Sequence, residues 1–183
     1  NDFKEIKFNL NLIKIIDLIY KLREKITIIA NGENYSIKSI NKESRQGKYN
    51  KEYHALFDYE NFIGKINDKK LTIQNKVYDP ISIIYDLRNQ LLEIGIFFRY
   101  DILSKESIDS IEMHIVDKEK IIFNNSEHDC FVIETYQVLN NENLRKTDEL
   151  KLWISSDDRA LPLIIEKKAK HGTIKMEINS YSL

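Results

Sequence analysis

Imidazole, carboxylate and thiol side chains stand next to each other at His128-Asp129-Cys130. A thiol nucleophile would need a separate base and an oxyanion hole, and a metal site would need spaced ligands and a fourth group. Cys130 opens a β-rich run, which favours a small buried core residue. Because Cys130 is the only cysteine, the sequence excludes an intramolecular disulfide.

The other groups that could do chemistry also favour structural roles. Asp157-Asp158 resembles a catalytic carboxylate pair, but its position just before Pro162 is typical of turn-forming residues. Either carboxylate is a candidate partner for Arg88. The sequence holds no phosphate-binding glycine-rich loop, no G-x-S-x-G motif and no zinc or calcium motif. The remaining histidines show no metal-ligand spacing: His54, His114 and His171. We therefore expect neither an enzyme nor a bound metal or cofactor.

A single long helix is the clearest element that could position a binding site. Asp79 suits the N-cap, Pro80 suits the first helical position, and helical periodicity runs from Ile81 to about Ile94, with Gly95 as the stop. The apolar residues cover well over half of the helix circumference, so contact on two or three sides is expected. They are Ile81, Ile83, Ile84, Tyr85, Leu87, Leu91, Leu92 and Ile94.

Most of the chain alternates apolar and polar residues with a period of two, which predicts half-buried strands. Residues 17–29 are predicted to form a strand, although a helix over residues 12–23 is an alternative interpretation. Asn31-Gly32 predicts a hairpin turn. The polar residues 41–50 predict a loop or the end of a strand, and the polar residues 124–129 predict a loop. The alternating sets are Phe8, Leu10 and Leu12; Ile111, Met113 and Ile115; and Ile174, Met176 and Ile178.

One helix cannot cover a flat sheet of nine or ten strands. The expected fold is therefore mainly β (α+β): a curved antiparallel sheet, or half-barrel, wrapped around one long apolar helix. Residues 1–183 are expected to form a single domain.

Arg88 lies near the middle of the apolar face of the predicted helix. An unpaired buried charge is costly, so the guanidinium needs partners. A structural ion pair with an inward carboxylate, or bonds to strand carbonyls, is the favoured interpretation. Two others stay open, an anchor for an acidic ligand head and a side chain that snorkels to solvent. The predicted lining of a ligand cavity is Ile81, Ile84, Tyr85, Arg88, Leu91, Leu92 and Trp153.

Composition narrows the class of protein further. The 183 residues are 42% hydrophobic and 31% charged, with 5 Gly and 2 Pro, an ordinary balance for a globular chain. A net charge of −1 argues against nucleic-acid binding. No apolar run approaches the roughly 18 residues of a membrane span, so an integral membrane protein is not expected. Because no signal peptide is recognised in these residues, we expect either a cytosolic protein or an exported one whose signal has been removed.

Three segments together resemble a known family. They are Tyr78-Asp79-Pro80-Ile81-Ser82 continuing to Tyr85 and Leu87-Arg88, then Leu152-Trp153-Ile154-Ser155 running to Leu161-Pro162, and finally Gly172-Thr173-Ile174-Lys175 with Tyr181. This pattern resembles the domain-of-unknown-function 3108 family of Gram-negative exported proteins, related in fold to the lipoprotein carriers LolA and LolB. The resemblance implies an antiparallel half-barrel with a helical plug and a hydrophobic cavity. The family brings no catalytic residues to carry over.

The residues and the resemblance together favour a periplasmic, non-catalytic protein. It would bind a lipid, a lipoprotein acyl chain or another hydrophobic ligand on the concave face of the half-barrel. The alternative is a structural or protein-interaction module of the bacterial cell envelope, with a packed core and a partner protein at a sheet edge.

Overall fold

The chain, seen in a computed structural model, is mainly β and divides into two compact units. The first comprises Asn1–Ile83 with Leu103–Ser107, and the second comprises Ile84–Ile102 with Ile108–Leu183. The single domain expected over the whole chain stays a prediction. The residues that the structure describes are 2–11, 22–46, 49–104, 107–140, 142–169 and 172–177.

Six antiparallel strands form the sheet of the first unit, in the order β1-β2-β3-β4-β5-β6. A short strand, β7, then leads into helix α1 (Pro80–Leu87). The strands are β1 (Phe3–Asn11), β2 (Leu22–Asn31), β3 (Ile37–Gln46), β4 (Tyr49–Asp58), β5 (Ile63–Ile66), β6 (Lys69–Thr72) and β7 (Val77–Tyr78).

A row of apolar side chains crosses the first sheet from β1 to β5. Each member lies directly opposite the next in the strand register, so all of them share one face. All five are buried, which makes this row the centre of the unit's core: Ile6, Ile28, Ile40, Ala55 and Ile66.

The hairpin turn predicted at Asn31-Gly32 is confirmed, but neither of these two residues has a positive φ. The left-handed backbone conformation falls on Tyr35, with φ of 53°. Gly32 is needed for close approach instead: its amide donates to the Asp2 carbonyl at 2.7 Å, and a Cβ there would lie 2.8 Å from that oxygen. Asn67, with φ of 49°, makes the turn between β5 and β6.

Of the two interpretations of residues 41–50, a loop or the end of a strand, the structure supports the strand end as far as the chain is described. β3 and β4 continue through this segment, and they pair from Asn41 with His54 to Gln46 with Tyr49. Many of the side chains here are exposed, so this end of the hairpin extends into solvent, where polar residues suit both faces of a strand.

Tyr59 ties three segments of the first unit together. Its hydroxyl donates to the Ile37 carbonyl at 2.6 Å and accepts from the Val77 amide at 3.2 Å. Burial raises the pKa of Tyr59 to about 12, since the ionised phenol would lose its contact with water. The hydroxyl therefore stays a neutral link between β3 and β7.

The second unit contains an antiparallel sheet in the order β8-β9-β10-β11-β12-β13. β9 and β10 are joined by Asn124 and Asn125, whose φ angles of 49° and 60° suit a two-residue hairpin turn. The predicted loop 124–129 is therefore too long. The strands are β8 (Phe97–Leu103), β9 (Ile108–Phe123), β10 (Ser126–Val138), β11 (Leu144–Ser155), β12 (Pro162–Ala169) and β13 (Gly172–Glu177).

The core of the second unit follows the predicted alternation. Ile111, Met113 and Ile115 on β9 are all buried, and Ile115 lies opposite Ile133, which in turn lies opposite Leu152.

Register shifts interrupt the β9–β10, β10–β11 and β11–β12 pairings. Such bulges increase strand twist, so this sheet curls. A mainly β chain with curled antiparallel sheets is thus confirmed.

The N-terminus of α1 forms as the sequence predicts. The Asp79 carboxylate accepts the Ile81 amide at 2.9 Å, and the Asp79 amide donates to the Ser82 hydroxyl at 2.9 Å. The second carboxylate oxygen accepts from the Lys42 ammonium at 2.8 Å. Asp79 is therefore both the N-cap of the helix and half of an ion pair.

The prediction of a long apolar helix is wrong, because α1 ends at Leu87. The amides of Asn89 and Gln90 donate to carbonyls three residues back, which tightens the last turn. Beyond it, Gly95 donates to the Ile115 carbonyl at 2.9 Å, so the chain has already turned to pair with β9. The predicted helical residues Leu91 and Ile94 are 73% and 59% exposed.

Several predictions lie outside the described residues. They concern Leu12, the segment 12–21 with its two alternatives, His171, and the last strand beyond Glu177. Among the helices of the described part, none is long and apolar enough to cross a membrane.

Candidate functional site around Arg88

Arg88 follows the last residue of α1 and is half-buried. Its Nη2 donates to the Arg159 carbonyl at 3.2 Å, and its guanidinium carbon lies 5.8 Å from the centroid of the Tyr85 ring. Its Nε is buried and has no hydrogen-bond partner in the structure as described. Arg88 thus combines a satisfied donor, a cation–π contact and one unsatisfied buried donor.

The acidic partner expected for Arg88 is not where the sequence placed it. Asp157 accepts from the Arg159 side chain, with Nε at 2.9 Å, and from the Ser155 hydroxyl at 2.7 Å. Within the described part of the chain, neither Asp157 nor Asp158 forms an ion pair with Arg88, which bonds a carbonyl instead. The prediction of a carboxylate partner at these two positions is therefore wrong, whereas that of a carbonyl partner agrees with the contact to Arg159.

The loop that supplies this carbonyl is built by Ser155 and Asp157, which follow Trp153. The Ser155 amide donates to the Leu161 carbonyl and its hydroxyl accepts from the Leu161 amide, both at 2.8 Å. Ala160 adopts φ of 44°, and its amide donates to the Asp157 carbonyl at 3.0 Å. The turn predicted around Asp157-Asp158 is confirmed, and these bonds fix the position of the Arg159 carbonyl.

Asp157 is held in its charged form. Burial alone would raise the pKa of this carboxyl, but hydrogen bonds from the Arg159 guanidinium and the Ser155 hydroxyl lower it below its usual value. A carboxylate that is ionised at neutral pH and already bonded to its neighbours suits a turn-forming residue rather than a general base.

Trp153 belongs to a packed cluster on one face of the second sheet. Its Nε1 donates to the Glu119 carboxylate at 2.8 Å, so the indole is both buried and satisfied. Leu161, at the end of the Arg159 loop, is part of the same cluster. The cluster comprises Cys130, Val132, Trp153, Leu161, Leu163 and Ile164.

The predicted lining residues are therefore only partly brought together. Tyr85 and Arg88 are in contact, Ile84 is buried and Leu92 is half-buried. Leu91 faces solvent, which follows from the early end of the helix. Ile81 is half-buried and belongs to the first unit. The ligand-binding role of these residues stays a prediction.

Cys130 has the environment of a core residue. It is fully buried, and its thiol donates weakly to the His128 carbonyl, with 3.7 Å between sulfur and oxygen. Burial raises the pKa of the Cys130 thiol to about 11, and the charges of Asp129, Asp157 and Glu119 add to the rise. Because the thiolate is the nucleophilic form, this environment suppresses reactivity.

A charged cluster on β8 and β9 was missed at the level of sequence. Glu112 is buried, and one of its carboxylate oxygens accepts from Arg99 Nε at 3.1 Å and Nη2 at 2.7 Å. The other oxygen lies 2.8 Å from His114 Nε2, and the His114 ring stacks on Phe97 with centroids 5.1 Å apart. The signal was present in Arg99, a lone charge within an aromatic run.

Hydrogen bonds within this cluster stabilise the charged form of Glu112. Burial alone would raise the pKa of Glu112, but hydrogen bonds from Arg99 and His114 lower it. Across the described ranges, no group of three or more histidines, cysteines and carboxylates is placed to hold a metal ion. The arrangement is that of a fixed ion-pair network on a sheet face.

Comparison with known proteins gives one result. The sequence profile of a family described as "Protein of unknown function (DUF3108)" matches residues 5–179. No curated protein and no solved structure matches the chain.

Proposed function

Since the chain belongs to the DUF3108 family, whose description assigns no activity, we propose from its own residues that it binds a hydrophobic molecule carrying an acidic head group. The protein is not an enzyme in this proposal. The ligand is a lipid, a lipoprotein acyl chain or another apolar acid, and Arg88 is its anchor.

The observation that carries the proposal is the state of the Arg88 guanidinium. Within the described residues it has a carbonyl and an aromatic ring as partners, and neither of them neutralises its charge. Its buried Nε lacks an acceptor. An acidic head group would supply both the missing acceptor and the missing negative charge.

The apolar part of the ligand has a site next to this charge. Ile84 and Tyr85 precede Arg88 on α1, and Leu91 and Leu92 follow it. Leu91 is largely exposed, so an acyl chain laid along this segment would remove apolar surface from water. Since Nε is buried, ligand entry requires the Tyr85 ring or the Arg159 loop to move aside.

The proposal also places the protein in the periplasm. This step rests on the resemblance to exported Gram-negative proteins related in fold to LolA and LolB. Fractionation of cells that express the full-length gene would test it, because cytoplasmic recovery would contradict it.

Paired probes test the head-group anchor directly. Dodecanoate and dodecanol share one chain and differ in the charged head. We expect the protein to bind dodecanoate about 10-fold or more tightly than dodecanol in calorimetric titration, since a charge-assisted hydrogen bond contributes about 1.5–3 kcal/mol. Arg88→Met should abolish the preference, and Arg88→Lys should retain part of it.

Arg145→Met is the matched control for these variants. Arg145 is exposed on β11 of the same unit and bonds the Gln137 side chain, so its loss should leave the preference unchanged. Equal binding of both probes by the unmodified protein, or an unchanged preference in Arg88→Met, would contradict the proposal.

A second candidate function is a structural or protein-interaction module. It is favoured by β1, a nine-residue strand at the edge of the first sheet, whose free side could accept a strand from a partner. The exposed charges of Lys4, Glu5 and Lys7 reduce unspecific pairing at this edge. The paired probes separate the two functions, because a packed interaction module binds neither probe.

A further inference from the structure

A cleft of about 230 Å³ opens on the second unit across β10, β11, β12 and β13. Five charged side chains line it, three of them ammonium groups and two carboxylates. They are Glu134, Lys146, Lys151, Glu166 and Lys168. Its lining contains none of the residues in the proposed function.

The strand register sets the order of these charges. Glu134 lies directly opposite Lys151, and Lys151 lies directly opposite Glu166, so the three alternate in sign along one row. Residues opposite each other share a face of the sheet. Lys168 follows two residues after Glu166 and therefore lies on the same face.

Lys151 does not pair with either neighbouring carboxylate. Glu134 forms its ion pair with Lys146 instead. The Lys151 ammonium lies 4.6 Å from the centroid of the Trp153 ring. Among the side chains that the structure describes, no ion pair joins Lys151 to Glu166. A neutral ring holds the ammonium in place without cancelling its charge.

The cleft therefore presents an ammonium group and a carboxylate side by side, each still carrying its charge. A ligand with a single charge would pair with one of these two groups and leave the other group without a partner of opposite charge. A ligand with both charges a few ångström apart would satisfy Glu166 and Lys151 together. The volume is below the roughly 300–1,000 Å³ of sites for drug-sized molecules, so the ligand is small.

We infer that this cleft binds a small zwitterion, whose ammonium group meets Glu166 and whose carboxylate meets Lys151. Free amino acids and very short peptides both carry an ammonium group and a carboxylate a short distance apart. Glycine, γ-aminobutyrate and diglycine carry the two charges at different separations and thus distinguish these sources.

Amide shifts in a nitrogen-15 NMR titration of the full chain test the inference. We expect at least one of the three zwitterions to shift amides at positions 134, 151 and 166, and to bind about 10-fold or more tightly than acetate or methylammonium alone. If acetate or methylammonium gives the same shifts at the same concentrations, the cleft binds an adventitious ion only and the inference is overturned.

Two variants complete the test. Glu166→Gln keeps the shape of the side chain, and Lys151→Met keeps its apolar stem, so each should weaken the zwitterion about 10-fold or more. Lys120→Met is the control, because Lys120 pairs with Glu127 beside the β9–β10 turn, away from the cleft. Unchanged binding by Glu166→Gln, with the amide spectrum otherwise preserved, would overturn the inference even if Lys151→Met fails to fold.

Discussion

A guanidinium that touches a carbonyl and an aromatic ring, but no described carboxylate, keeps its full charge. Arg88 is in this position, and the loop carbonyl that it contacts is fixed by the bonds of Ser155 and Asp157. The sequence could locate Arg88 as an unusual charge on an apolar face. It could not identify its partner, because the Arg159 carbonyl lies 71 residues away along the chain.

A half-buried tyrosine also contributes to the stability of the first unit. Tyr59→Phe should lower the free energy of unfolding by about 1–3 kcal/mol, because it leaves the Val77 amide and the Ile37 carbonyl without the phenol. Urea unfolding at neutral pH measures this loss. Tyr136→Phe is the control, since that hydroxyl has only a marginal contact of 3.5 Å with Glu134. Similar losses in both variants would show that the Tyr59 hydrogen bonds contribute little.

At the scale of elements, neighbouring residues predict where α1 begins, but they do not predict where it ends. The start of α1 is encoded in four consecutive residues, Asp79 to Ser82, and it forms as predicted. Its end depends on the pairing of Gly95 and Ile96 with Ile115, about 20 residues further along the chain. Periodicity alone continues the predicted helix to Ile94, because the apolar spacing of Leu91, Leu92 and Ile94 matches a helix and carries no information about that distant pairing.

The two faces of β9 also differ in how well the sequence predicts their burial. The alternation on β9 correctly placed Met113 and Ile115 in the core. The same alternation gives no sign that Glu112, on the opposite face, is buried beneath Arg99 and His114. A buried charge becomes acceptable only when a neighbouring strand supplies its partners, and a single strand pattern cannot reveal that.

The early end of α1 can be tested with two matched leucines. Leu87 is fully buried and Leu91 is largely exposed. Leu87→Ala should therefore lower the free energy of unfolding by about 2–5 kcal/mol, and Leu91→Ala should change it by less than about 0.5 kcal/mol. Thermal or urea unfolding of the two variants gives the comparison. Equal losses would indicate that the helix continues and buries Leu91.

At the scale of the whole molecule, shifted pKa values predict a stability maximum near neutral pH. The pKa of Glu112 and of Asp157 is lowered, so the stability that they contribute at neutral pH is lost as the solution becomes acidic. The pKa of Tyr59 is raised from 10.0 to about 12 and that of Cys130 from 9.0 to about 11. Their contribution is present below pH 9 and is lost as pH rises towards 12.

Cys130→Ala isolates one part of this alkaline loss. Between pH 8 and pH 11 the unmodified protein should lose up to about 2 kcal/mol more than the variant, each measured against its own value at pH 7. Urea unfolding across this range is the measurement. Parallel pH profiles would show that the thiol ionises equally in the folded and the unfolded chain.

Membership of a family without an assigned activity leaves the ligand as the central question for the molecule. Native mass spectrometry of the purified chain, followed by organic extraction, addresses it most directly. We predict a bound acidic lipid that is retained by Arg145→Met and lost from Arg88→Met. An unliganded mass that persists after incubation with dodecanoate and with acidic lipids would contradict the account.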